Sequence, residues 1–197
     1  MFIELTDRLR CPVEHAESYL VLIPDTMQGR DVVHGTLGCP VCHAEYPIVD
    51  GIVRMAPAEP PPPSVGLPAT HPDAGAILAF LGIEGPGGYL AVVGDAERYA
   101  TALSQLLPGV HLVVVNPPEV AASAELSVVR SARSPFKAHG LRGAVLGVPE
   151  ANDPRWQEEM IRAVLPGLRV TGRGPEPAVR GFELLGAADG WWVGRAH

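Results

Sequence analysis

The chain has no surplus of basic charge, no long apolar run and very little cysteine, and each shortage removes a class of function. Its 197 residues carry 15 Lys and Arg against 22 Asp and Glu, a formal charge of -7. Autonomous binding of nucleic acid needs a concentrated basic face that displaces counterions, so direct contact with RNA or DNA is not expected. Arg8, Arg10, Arg30 and Arg54 are the residues from which a local basic patch would be built. No apolar stretch approaches the roughly 20 residues that span a bilayer, and the Met1 to Arg10 stretch has acids where an export signal has its apolar core. A soluble, cytoplasmic protein is the expectation. With 19% charged and 47% hydrophobic residues the composition is that of a folded chain.

The three cysteines all fall before residue 43, and they do so at ligand spacing. In a reducing compartment such thiols read as metal ligands and not as a disulfide framework. Cys11-Pro12 with His15 forms one knuckle, and Cys39-Pro40 with Cys42, preceded by Gly38, forms the other. Tetrahedral zinc takes four Cys or His ligands from two knuckles of this kind. Two thiolates neutralise the divalent ion and a third leaves the site anionic, so a neutral imidazole suits the fourth position. Cys11, His15, Cys39 and Cys42 are the expected ligands of a structural zinc ion. Two other fourth ligands stay open: Glu14, where a symmetric Cys-x2-Cys knuckle would end, and His43, beside Cys42. The metal-free reading makes the cysteines three small buried side chains. His34 reads as a solvated loop residue. Four protein ligands leave no position for water, so such an ion holds a fold together and does not catalyse.

Residues 1–56 form one compositional unit. A proline-rich linker over 57–72, built on Ala58-Glu59-Pro60-Pro61-Pro62-Pro63-Ser64, holds neither helix nor central strand and reads as stiff and extended. Residues 73–197 form a second unit. Here a short helix at Asp73 to Leu81 precedes an apolar strand at Tyr89 to Val93, a helix at Asp95 to Leu107 and a strand at His111 to Val115. Further strands are expected at Glu125 to Val129, Gly143 to Val148 and Leu168 to Thr171, with a helix at Asn152 to Leu165 capped by Asn152. Apolar strands alternating with helices predict an α/β, mainly parallel sheet buried on both faces. The end differs: Arg180 to Leu185 and Trp191 to Arg195 flank Asp189-Gly190, the signal of an antiparallel hairpin.

Leu9-Arg10-Cys11-Pro12, Gly38-Cys39-Pro40-Val41-Cys42 and the tail Glu45-Tyr46-Pro47-Ile48-Val49-Asp50-Gly51-Ile52-Val53-Arg54-Met55 resemble the small zinc-ribbon family related to the activator subunit of tRNA, rRNA and release-factor methyltransferases. That family also occurs fused to the front of class I methyltransferases. The resemblance implies a β-rich zinc ribbon and a protein partner, with a methyltransferase as one candidate and a sheet edge or the Tyr46 to Ile52 segment as the contact. By element order, and by Leu165-Pro166-Gly167, the rest of the chain is similar to a shortened, Rossmann-like class I methyltransferase domain. That likeness implies S-adenosylmethionine as cofactor.

Binding of that cofactor needs a glycine-rich turn after the first strand and an acid at the end of the second, which holds the ribose hydroxyls. The turn reads Gly94-Asp95-Ala96-Glu97-Arg98 and keeps one glycine; the second strand ends in Asn116-Pro117-Pro118; Val92 stands where a further acid is common. An amide does not offer the two acceptor oxygens that suit a diol. The reading that follows is a decayed methyltransferase fold serving as a non-catalytic scaffold or adaptor. Its alternative is an active methyltransferase with an atypical loop, holding its cofactor through Gly94 and Asn116. On the first reading Gly94 supplies a turn and Asp95 caps a helix. No catalytic residue is assigned. Ser134-x-x-Lys137 is a chance match, His111 ends a strand, His139 is solvated, Glu158 and Glu159 point apart, and of Trp191 and Trp192 one is expected in the core and the other exposed to a partner.

Overall fold

The computed structural model of the chain describes residues 1–55, 72–117, 122–123 and 125–197. The proline run at Ala58 to Ser64 lies outside the described residues, as does Pro118.

A 3-10 helix at Ile3–Arg8 opens the chain. Strands β1 (Val21–Gln28), β2 (Asp31–Gly38), β3 (Glu45–Val49) and β4 (Ile52–Arg54) follow as an antiparallel meander. Asp50 and Gly51, with φ of 52° and 76°, make the turn between β3 and β4 that suits the twist of a hairpin. His34 sits within β2, half-buried and 3.8 Å from Asp50, and not in a loop.

The second region begins with helix α1 (Ala74–Leu81), whose cap is Asp73: its carboxylate accepts from the Ala76 amide at 2.7 Å. Strand β5 (Tyr89–Val93) is buried along its length, and β6 (His111–Val115), β7 (Leu126–Arg130), β8 (Leu141–Leu146) and β9 (Val164–Arg173) lie parallel to it. The expected helix at Asp95 to Leu107 is divided into a 3-10 turn at Gly94–Tyr99 and helix α2 (Ala100–Leu106). Helix α3 (Pro154–Ala163) is capped by Asp153 and not by Asn152, because it is Asp153 whose carboxylate accepts from the Arg155 amide, at 2.9 Å. The hairpin of β10 (Phe182–Ala188) and β11 (Trp191–Ala196) turns at Asp189-Gly190, both at positive φ. Both tryptophans are buried, Trp191 at 6% and Trp192 at 1% exposure. They face opposite sides of β11, Trp191 edge-on to Tyr99 and Trp192 edge-on to Phe182, so neither is left for a partner.

All eleven strands form one sheet in the order β1-β2-β3-β4-β7-β6-β5-β8-β9-β11-β10. Its centre is a doubly wound, Rossmann-like arrangement in which the winding reverses at β5, and the C-terminal hairpin adds antiparallel strands. The join between the two regions is β4, which pairs in parallel with β7 from Ile52 opposite Val128 to Arg54 opposite Arg130. Because β4 is bonded to β3 on one side and β7 on the other, and β3 lies between β2 and β4, the Tyr46 to Ile52 backbone is engaged inside the chain. The core follows the period of two. Leu90 and Val92 face the helix pair α1 and α2, whereas Ala91 and Val93 face a cluster shared with Leu5, Leu9, Leu37 and Val53 of the first region and Trp156 of α3.

Candidate metal centre and the crevice at Gly94

The loop before β1 and the turn between β2 and β3 bring Cys11, His15, Cys39 and Cys42 together, with their ligand atoms all within 4.8 Å of one another. Cys11 Sγ is 3.6 Å from Cys42 Sγ, and Cys39 Sγ is 3.4 Å from His15 Nε2. Zinc at the centre of a tetrahedron, with Zn–S of about 2.3 Å and Zn–N of about 2.0 Å, sets S···S near 3.8 Å and S···N near 3.5 Å. These two separations match a tetrahedral ion, and the remaining pairs lie within 4.8 Å. His15 Nδ1 lies 2.7 Å from the Ala16 carbonyl. Donation there places the proton on Nδ1 and leaves the Nε2 lone pair facing the sulfurs, the tautomer a ligand needs. Glu14 is 89% exposed and 3.7 Å from Arg133, and His43 takes a left-handed φ of 59° in closing the knuckle; neither belongs to the group.

Burial opposes ionisation of Cys39, but backbone amides of Cys42 and Val41 and the thiols of Cys42 and Cys11 point at its sulfur and bring it down to about 7. Burial pushes the Cys11 thiol up, and the Tyr46 hydroxyl, 3.0 Å from Cys11 Sγ, acts against that. The Tyr46 phenol is itself held protonated by burial and by this hydrogen bond, so it donates to the sulfur. Cys39 is thus placed to carry negative charge on sulfur, which is what a bound divalent cation requires.

Gly94 and Asn116 lie where the sequence predicts, at the carboxyl ends of the neighbouring strands β5 and β6. In doubly wound sheets this edge, at the switch point, is where ligands bind. Here it is occupied by the chain itself. Gly94 has φ 62°, and a Cβ there would strike the Glu150 carboxylate and come within 2.7 Å of the Val148 carbonyl. Asn116, at φ 54°, donates from Nδ2 to Glu150 Oε1 and to the Ser131 carbonyl, both at 2.8 Å, and accepts from the Ser131 amide at 2.9 Å. Its side chain has no hydrogen left to give a ligand.

Asp95 is not a helix cap. Its carboxylate accepts from the Val148 amide at 2.8 Å and from Arg98 at 2.9 Å, with Arg173 at 3.8 Å, and its own amide donates to the Val148 carbonyl at 3.0 Å. Gly147 is required opposite, because a Cβ there would collide with Asp95 and the Ala96 amide. The turn after β5 and the loop after β8 are stitched together across the crevice. Glu150 is the group sequence reasoning missed. It is a buried carboxyl whose Oε2 has no partner among the described residues, and burial pushes its pKa up, against the Asn116 hydrogen bond.

The remaining candidates take structural places. Ser134 is buried with its hydroxyl 3.4 Å from Met160 Sδ, and Lys137 is held by its backbone to Arg8. His139 is exposed. Glu159 pairs with Arg10 at 2.7 Å, and Arg30 pairs with Glu4, so the four arginines do not form one free basic patch. No helix among the described residues is long and apolar enough to cross a membrane.

No protein-family model matches the chain, and no curated protein matches it in sequence. Among solved structures it is similar to the [4+2]-cyclase SpnF, at 12% identity and a TM-score of 0.46, over 57% of this chain and 57% of that one. It is also similar to a complex of the Haloferax volcanii Trm112 methyltransferase activator with a protein assigned as a methyltransferase, at 18% identity and a TM-score of 0.42, over 50% of each chain. A third likeness is to geranyl diphosphate C-methyltransferase from Streptomyces coelicolor, at 15% identity and a TM-score of 0.40, over 50% of this chain and 43% of that one. In each case the match spans little more than half of the known structure or less, and the α/β fold rests on the strand order itself.

Proposed function

We propose that the chain is a non-catalytic scaffold: a structural zinc ribbon over residues 1–56 continuous with a decayed methyltransferase-like region over 73–197. Cys11, His15, Cys39 and Cys42 hold the ion, which cross-links the segment before β1 to the β2–β3 turn and does no chemistry on a substrate. The observation that carries the scaffold reading is the Glu150 carboxylate over Gly94, hydrogen-bonded to Asn116. An adenosyl ligand entering there would have to displace a buried carboxyl, break the Asp95–Val148 pair and leave each of those groups unsatisfied, at a cost of about 1–3 kcal/mol apiece.

The function left to such a molecule is to present surface to a protein partner in the cytoplasm, and a methyltransferase is the partner the ribbon's resemblance suggests. The exposed apolar side chains Val13, Tyr19, Ile23 and Val41 support contact through the ribbon end, where both knuckles carry a valine after Cys-Pro. Isothermal titration of S-adenosylmethionine and S-adenosylhomocysteine into zinc-loaded protein tests the reading. Absence of binding is expected. Micromolar binding that is lost in Asn116→Ala would overturn it in favour of an active methyltransferase.

A further inference from the structure

The opposite end of the parallel strands has the reverse character. There the 3-10 helix Ile3–Arg8 lies against the amino ends of β5 and β6 and leaves a cavity of about 640 Å³ whose lining includes Phe2, Glu4, Asp7, Arg8, Tyr89, His111 and Glu125. That volume is in the range of small-molecule sites, about 300–1,000 Å³. One wall is aromatic: Phe2 stacks on His111 with ring centroids 4.8 Å apart, and Tyr89 meets His111 edge-on at 5.7 Å.

The polar groups of this wall are committed in one direction only. The Phe2 amide donates to the buried Ser127 Oγ at 3.0 Å, and the same hydroxyl hydrogen-bonds to His111 Nε2 at 2.8 Å. The ring is held neutral, towards about 4, by burial. His111 Nδ1 has no partner among the described residues. Tyr89 is only 7% exposed, yet its hydroxyl has no hydrogen-bond partner among the described residues, and burial keeps it protonated. Besides Glu4, which pairs with Arg30, three charges surround these groups. The Arg8 guanidinium lies 5.9 Å over the Tyr89 ring with no carboxylate partner, and neither Asp7 nor Glu125 has a cationic one, again among the described residues. Opposite charges converge on one concavity without pairing with each other.

We propose that this cavity binds a zwitterionic α-amino acid with a planar apolar side chain. Its carboxylate meets Arg8 and the Tyr89 hydroxyl, its ammonium meets Asp7 and Glu125, and its side chain lies on the Phe2–His111 wall. A simple anion would face two unpaired carboxylates, and a simple cation would face Arg8; a ligand carrying both signs satisfies all three charges.

L-tryptophan is the probe, titrated into the full zinc-loaded chain and followed by amide chemical shifts of β5 and β6, with tryptamine and indole-3-propionate as analogues lacking one charge each. Saturable binding of tryptophan is expected, with each analogue weaker by about tenfold or more. Arg8→Gln is expected to weaken tryptophan and spare tryptamine. Glu125→Gln is expected to weaken tryptophan and spare indole-3-propionate. Tyr89→Phe keeps the ring packing and is expected to lose several-fold in affinity at an unchanged melting temperature. No saturation by L-tryptophan, L-phenylalanine or L-leucine at millimolar concentration, or equal binding of tryptophan and both analogues, would sink the proposal. Its outcome is separable from the cofactor titration, because any S-adenosylmethionine held here by its amino-acid end would respond to Arg8→Gln and not to Asn116→Ala.

Discussion

The knuckles and the crevice at Gly94 are both crowded with polar side chains, and they treat them in opposite ways. Around Cys11, Cys39 and Cys42 three sulfurs and an imidazole nitrogen face one another, a convergence of metal-ligating atoms on one point. A cation at the centre resolves all of them at once. Around Gly94 the groups complement each other: Asn116 gives to Glu150, Val148 and Arg98 give to Asp95, and Ser131 both gives to and takes from Asn116. A binding site is marked by what its polar atoms still lack, not by how many of them there are. By that measure the knuckles retain a site, and the crevice at Gly94, apart from the unpartnered Glu150 Oε2, is an interior.

The largest effect is expected from emptying the knuckles. Cys39→Ser, or chelation of the wild type, should cost about 3 kcal/mol or more, and because Leu37 and Val53 share a core with Val93 and Trp156 the loss should reach the second region. Thermal melts with and without chelator, alongside released zinc measured by a chromophoric reagent, check this. Melting confined to one of two separate transitions would contradict it.

A smaller effect, on the other arm of the comparison, is expected from Gly94→Ala. Left-handed backbone and the collision with Glu150 together should cost about 2–3 kcal/mol. The double variant Gly94→Ala, Glu150→Ala should recover part of that loss, a non-additivity readable from denaturant midpoints. Strict additivity would mean that Glu150 does not fill the space.

The smallest effect concerns the charge on Glu150. Burial raises its folded pKa above the unfolded one, so its favourable contribution is complete below the unfolded value and is lost as pH rises through the folded value. Glu150→Gln keeps an oxygen for Asn116 without the charge. It should match the wild type in acid and exceed it in stability at neutral pH. A gap that widens towards acid would reverse the assignment.

Much of this was legible in the chain. The apolar runs at Tyr89 to Val93 and His111 to Val115 fall within the observed strands because strands buried on both faces need no alternation, and Asp-Gly placed the terminal turn because few other pairs accept φ above zero twice. The four converging donors were visible as two Cys-Pro knuckles. What stayed hidden was set by contacts between distant segments. Nothing in Ile52-Val53-Arg54 announces β7 as its neighbour. Asp95 carries the same residue type as a helix cap, and only the path of the loop after β8 turns its carboxylate to Val148. Glu150, beside Pro149 in a loop, has no periodic signal, and its burial is decided by the glycine it covers. Trp192 was half-read for a similar reason: alternation assigns the two tryptophans to opposite faces, but not that both faces are covered.

The three-residue ladder between β4 and β7 also bears on competition. A strand tethered in its own chain meets its neighbour at an effective concentration on the order of millimolar, far above the level of most separate proteins. A free strand from another molecule would have to overcome that advantage to take the place of Ile52–Arg54. The position is in effect pre-empted, and a strand from a partner is left with the margins of the sheet at β1 and β10, which no segment of the described chain contests.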